Sequence, residues 1–138
     1  MGRTCYSGPV YGAKRALASF YVASIAAEAT VAEIGEILIP ATEDWYITEV
    51  HAYCTDEGNG ATIDVECPNG TSLLAADLAL SSGAGVKAVL TADAGEDEGK
   101  RCAASSRIHI EGADGETTAA ANVMVTLHGY IRKLNTPL

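Results

Sequence analysis

Residues 50–67 read Val50-His-Ala-Tyr-Cys-Thr-Asp-Glu-Gly-Asn-Gly-Ala-Thr-Ile-Asp-Val-Glu-Cys67. Val50, Ala52 and Cys54 fall on one side of an extended chain, with His51 and Tyr53 on the other. After the loop Thr55 to Gly60, Ile63, Val65 and Cys67 share a face and Asp64 and Glu66 take the opposite one. A period of two is the signature of a half-buried strand. Asn59-Gly60 is a favoured hairpin turn, because both residues tolerate positive φ. The stretch therefore predicts an antiparallel hairpin, and nothing else in the chain is as clear.

Working outward, Asp44 to Cys54 forms one long strand whose phase slips between Thr48 and Val50, which a bulge near Glu49 would reconcile. Ile34 to Ile39 is β-rich and stops at Pro40, which has no amide donor. Pro68-Asn69-Gly70 and Ser81 to Gly85 are turn signals, the second leading into Val86 to Leu90. Arg107 to Glu111 places Ile108 and Ile110 inward. Ala121 to Ile131 buries Val123, Val125 and Leu127 and turns Met124, Thr126, His128 and Tyr130 out. Ser19 to Ala26 alternates as a strand, with an alanine-favoured helix over residues 13–29 as its competitor. Short apolar runs between regular turns describe an all-β chain, an antiparallel β-sandwich or barrel of about eight strands. Residues 1–15, with Gly2, Gly8, Pro9 and Gly12, lack periodicity. They read as an N-terminal arm ahead of a single domain over residues 16–138.

The chain has 138 residues, the size of one domain, and with 48% hydrophobic residues it needs neither metal nor disulfide to form a core. Eighteen acidic against nine basic residues give a net charge of −9. That sign repels phosphate backbones and anionic membranes, so neither nucleic acid nor membrane is expected as a partner. No apolar run reaches the ~18 residues of a membrane span. The uncharged run Ala16 to Ala27, after Lys14-Arg15, imitates a signal peptide, but it alternates as a strand does. A soluble, unprocessed protein made in a reducing cytoplasm is the expectation.

Cys5, Cys54, Cys67 and Cys102 include no C-x-x-C pair, which argues against structural zinc. Cys54 and Cys67 flank the predicted turn, so they are the candidate disulfide, or else a pair of buried reduced core residues. His51, His109 and His128 all fall on outward positions; they could hold a metal, as in a cupin-like enzyme, only if three particular strands were neighbours. The acidic loop Asp93 to Glu98 offers calcium-type oxygen ligands without the order of an EF-hand. Glu28, Glu33, Glu36, Glu43 and Asp44 read as surface charges. No nucleophile elbow, zinc-protease helix motif or phosphate loop occurs, so no catalytic residue, cofactor or metal is assigned.

Taken in order, Gly35-Glu-Ile-Leu-Ile-Pro40, Asp44-Trp-Tyr-Ile-Thr-Glu-Val-His-Ala-Tyr53, Ala61-Thr-Ile-Asp-Val-Glu66, Asn69-Gly-Thr71 and Asn122-Val-Met-Val-Thr-Leu-His-Gly-Tyr130 form a succession. It resembles small β-sandwich virion proteins of tailed bacteriophages over about residues 33–132. The resemblance implies a jelly-roll capsid decoration (cement) protein, located in the virion on the capsid surface. Its implied partners are the major capsid protein and its own copies in a homotrimer. A head-fibre or tail protein with a carbohydrate-binding sandwich is the alternative; Tyr53, Tyr130 and Trp45 would then stack on sugars. The family offers no catalytic residues. Arg3, Lys14 and Arg15, opposite in sign to the body, are the candidate capsid contacts.

Overall fold

In the computed structural model, which describes residues 10–11, 14–26, 32–88, 90, 99–113 and 119–134, the alternating stretches become ten strands. They are β1 (Val10–Tyr11), β2 (Arg15–Ile25), β3 (Ala32–Leu38), β4 (Glu43–Tyr53), β5 (Thr62–Glu66), β6 (Leu78–Ala79), β7 (Gly85–Ala88), β8 (Lys100–Cys102), β9 (Arg107–Ala113) and β10 (Ala120–Lys133). One sheet runs β2-β10-β4-β7, with short β1 extending the β2 edge and β8 the β7 edge. The other runs β3-β9-β5-β6, and every pairing between these named strands is antiparallel. With β1 and β8 set aside, eight strands pass between two four-stranded layers in the order of a double Greek-key jelly roll.

Period-two patterning explains the layers. Ile47, Val50, Val123 and Val125 from the six-stranded sheet and Ile63, Val65, Ile108 and Ile110 from the four-stranded sheet are fully buried and meet between them. The expected bulge is present: His128 pairs with Glu49 and Gly129 with Ile47, so Thr48 is the extra residue. At that point β10 comes so close to β4 that a Cβ on Gly129 would lie 1.9 Å from the Tyr46 carbonyl oxygen. The alternative of a helix over 13–29 is settled in favour of the strand β2 within the described residues.

Two expectations need correction. The Asn59-Gly60 turn does not close a hairpin, because β4 and β5 lie in different sheets. Gly58 and Gly60 take positive φ, and the amides of Gly60 and Ala61 donate to the Glu57 carbonyl, so the loop crosses from one layer to the other. Alternation says which face is buried, and a strand on either side of the core satisfies it equally. For the same reason Cys54 and Cys67 are not bonded to each other. Cys67, after β5, is joined by a disulfide to Cys102 on β8, with Cα atoms 5.9 Å apart, which ties the two sheets together. Cys54 is a buried free thiol, its pKa pushed up by burial and by Glu57 and Asp56.

Only part of the expected arm lies within the described residues. Val10 and Tyr11 pair with Lys133 and Arg132 of β10, and Arg15 already belongs to β2. Residues 1–9 lie outside the described part.

Candidate functional site

The outer face of the six-stranded sheet carries an exposed apolar row. Met124 on β10 pairs directly with Tyr21 on β2 and with Tyr53 on β4. Their exposures of 44%, 56% and 46% make them three of the four exposed large hydrophobic residues among those described. Period-two alternation turns all three away from a core that Val123 and Val125 fill, so no inward packing is available to them. The Tyr21 hydroxyl donates to Asn122 Oδ1 at 2.7 Å, and Asn122 Nδ2 donates to Thr55 Oγ1 at 2.9 Å. These bonds hold one end of the row in place.

Below the row, Glu49 gathers three partners, one just ahead of β2, one on β4 itself and one on β7. Lys14 Nζ and Lys87 Nζ each reach Glu49 Oε1 at 3.1 Å, and His51 Nε2 lies 2.9 Å from Oε2. The hydrogen bonds from His51, Lys14 and Lys87 pull the Glu49 pKa from 4.5 down to about 2. His51 also lies against His128, with ring centroids 4.5 Å apart. Two ammonium groups against one carboxylate leave this cluster net positive.

Asp44 forms a second cluster on the same face, and it is fully buried. Its carboxylate accepts from Arg101 Nε at 3.0 Å and from the Ala104 amide at 2.8 Å, and Arg132 is a third partner. Burial would raise its pKa, but the Ala104 amide, Arg101 and Arg132 together outweigh that and lower it. Asp44 is thus no surface charge: it fastens β4 to β8, β10 and the turn after β8. Here too a single carboxylate meets two cations.

The outer face of the four-stranded sheet is opposite in sign. The register places Glu33, Glu111 and Asp64 side by side across β3, β9 and β5, and Glu36, His109 and Glu66 in the next row. His109 Nδ1 lies 2.8 Å from Glu33 Oε1, and Arg107 pairs with Glu36. Burial, then the charges of Glu66, Asp64 and Glu33, push the Glu111 pKa up. Two groups, Glu33–Glu36–His109 and Asp64–Glu66–Glu111, have donor atoms within 4.8 Å of one another and could hold a cation.

Of the residues singled out from sequence, Lys14 belongs to the Glu49 cluster and Arg15 opens β2, while Arg3 lies outside the described residues. The acidic loop at 93–98 and Glu28 lie outside them as well. The three histidines face out, as expected, but only His51 and His128 meet; His109 stands on the other sheet, across the core. Trp45 is not an exposed aromatic: it is 7% exposed, and its indole N–H donates to Glu43. Tyr130 is half-buried. Sequence reasoning missed Tyr21 as a neighbour of Met124, because alternation gives a side chain's face without naming what stands beside it.

No protein-family model and no curated protein matches the chain. Among solved structures, "Structure of infectious bursal disease virus Gt strain" is similar at 15% identity and a TM-score of 0.37, covering 94% of this chain and 39% of that one. "Structure of infectious bursal disease virus Gx strain" is similar at 14% identity and a TM-score of 0.33, covering 93% of this chain and 37% of that one. The chain thus spans under two fifths of the length of either, and at these scores the function rests on its own residues.

Proposed function

We propose that the chain is a virion structural protein of the capsid-decoration (cement) type. It binds the major capsid protein on the outer surface of a bacteriophage head as an oligomer, a trimer, and stabilises the shell without catalysing a reaction. The observation that carries this reading is the Tyr21–Met124–Tyr53 row, an exposed flat patch with charged clusters beneath it. Contiguous exposed apolar surface rimmed by polar groups is characteristic of protein–protein contact, and aromatic residues and Met are enriched in such patches. The succession of motifs over residues 33–132 supports the same reading, as do the sheet edges, which association would cover.

Many weak contacts suffice for such a role. Subunits of a bound oligomer engage neighbouring capsomers at high effective concentration, so each patch needs only modest affinity. Heating purified heads with and without the protein tests the proposal: complete heads should stay intact at temperatures where stripped ones release DNA. Equal survival would refute cementing.

The exposed rings of Tyr21 and Tyr53 favour one second reading, a carbohydrate-binding sandwich on a head fibre or tail. A glycan array on which binding disappears in Tyr21→Ala and Tyr53→Ala would promote it over the first.

A further inference from the structure

Charge is divided between the two sheets. Among the described residues on the outer face of the six-stranded sheet, Glu49 meets two ammonium groups, those of Lys14 and Lys87. That cluster therefore holds two positive groups against one carboxylate in a chain whose net charge is −9. The outer face of the four-stranded sheet carries Glu33, Glu36, Asp64, Glu66 and Glu111 in two adjacent rows, with Arg107 and His109 as their basic neighbours. Glu33, Glu111 and Asp64 stand directly opposite one another on three strands, an arrangement that costs stability. The raised Glu111 pKa reflects burial first and then that crowding. Each face also presents exposed apolar surface: Tyr21, Met124 and Tyr53 on the first, and Leu38, 60% exposed and paired with Arg107, on the second.

We infer that a second copy of this chain docks the outer face of its six-stranded sheet onto the acidic outer face of the four-stranded sheet. The Lys14–Glu49–Lys87 cluster and the Tyr21–Met124–Tyr53 row of one copy meet the Glu33–Glu111–Asp64 row of the next. Distant charges on the two acidic bodies are screened beyond about 8 Å at physiological salt, whereas groups in contact are not. The contact joins different patches, so it passes from copy to copy. Three copies close a ring if each is turned by a third of a circle; otherwise the contact runs on as an open row. The inference concerns the isolated protein: the row that meets a second copy is the one the proposed function gives to the capsid protein, so the two contacts compete for it.

Sedimentation velocity over a concentration series tests it with two variants. Met124→Glu puts a negative charge in the middle of the first face, and Glu33→Lys with Glu36→Lys reverses the second. Native circular dichroism and a single cooperative melting transition establish that each variant folds. The wild type should sediment faster as its concentration rises and lose this behaviour in high salt. Each variant alone should remain monomeric, its self-affinity reduced at least about tenfold. An equimolar mixture of the two should form a dimer and stop there, because each supplies the face the other lacks. A wild type that stays monomeric throughout, variants that still associate alone, or a mixture that does not pair would each overturn the inference. None of those results would bear on heat survival of decorated heads.

Discussion

Phe20, the single phenylalanine of the chain, lays its ring against the bare Cα of Gly35, so closely that a Cβ at Gly35 would lie 1.9 Å from Phe20 Cζ. The contact joins β2 of one sheet to β3 of the other near an open edge of the sandwich. Gly35→Val should therefore destabilise the fold by about 1–3 kcal/mol through overpacking. Adding Phe20→Leu to it should recover part of that loss. Urea denaturation of the two single variants and the double variant measures the coupling; strictly additive effects would show that ring and glycine do not interact.

Asp44→Asn should cost on the order of 2 kcal/mol, because it leaves two arginines beside an amide. Arg101, about half exposed, can rehydrate, which keeps the loss below that of a fully buried pair. The folded pKa of Asp44 is below its ordinary 3.8, so its stabilisation is complete above that value and is lost as pH falls through the lower folded value. Acid unfolding followed by Trp45 fluorescence should begin at higher pH in Asp44→Asn than in the wild type.

Glu49 should titrate near pH 2 in the folded protein, against 4.5 when its partners are absent. Its contribution to stability is present above pH 4.5 and is lost as pH falls towards 2. Carboxyl carbon shifts read by NMR against pH check this directly, and Lys14→Gln or Lys87→Gln should each move the midpoint upward.

Glu111→Gln should raise stability at neutral pH by about 0.5 kcal/mol by relieving like charges on both neighbouring strands. The raised folded pKa has the same sign: ionised Glu111 weighs against folding, and the difference vanishes once acid protonates it. A higher melting temperature at pH 7 and an equal one at low pH would match this.

Reduction of the Cys67–Cys102 bond should lower stability by roughly 3–4 kcal/mol, the loop-closure value for a bridge across 35 residues. Peptide mapping without reduction should yield a Cys67–Cys102 linked fragment, and Cys102→Ser should melt as the reduced wild type does.

Much of the sandwich was legible in the sequence because burial and alternation are the same fact read twice. Ile108, Ile110, Val123, Val125 and Leu127 sit where a period of two puts them, and the bulge beside Glu49 showed as a phase slip. Partners were less legible. Asn59-Gly60 reads as a hairpin whether its flanking strands share a sheet or face each other across the core, and the disulfide followed the second geometry. Asp44 looked like any acid in a charged stretch, because Arg101 and Arg132 lie 57 and 88 residues away in sequence. The surface row was half visible, Met124 and Tyr53 from their outward phase; Tyr21 joined them only when β2 was placed beside β10.

The proposed decoration role is tested most directly by electron cryo-microscopy of purified bacteriophage heads prepared in the presence of this protein. Two-layered β density matching this jelly roll, repeated at lattice positions on the outer surface with the Tyr21–Met124–Tyr53 face at a protein contact, is the expected result. Heads whose outer surface lacks that density, prepared under conditions where the protein is abundant in the lysate, would contradict it.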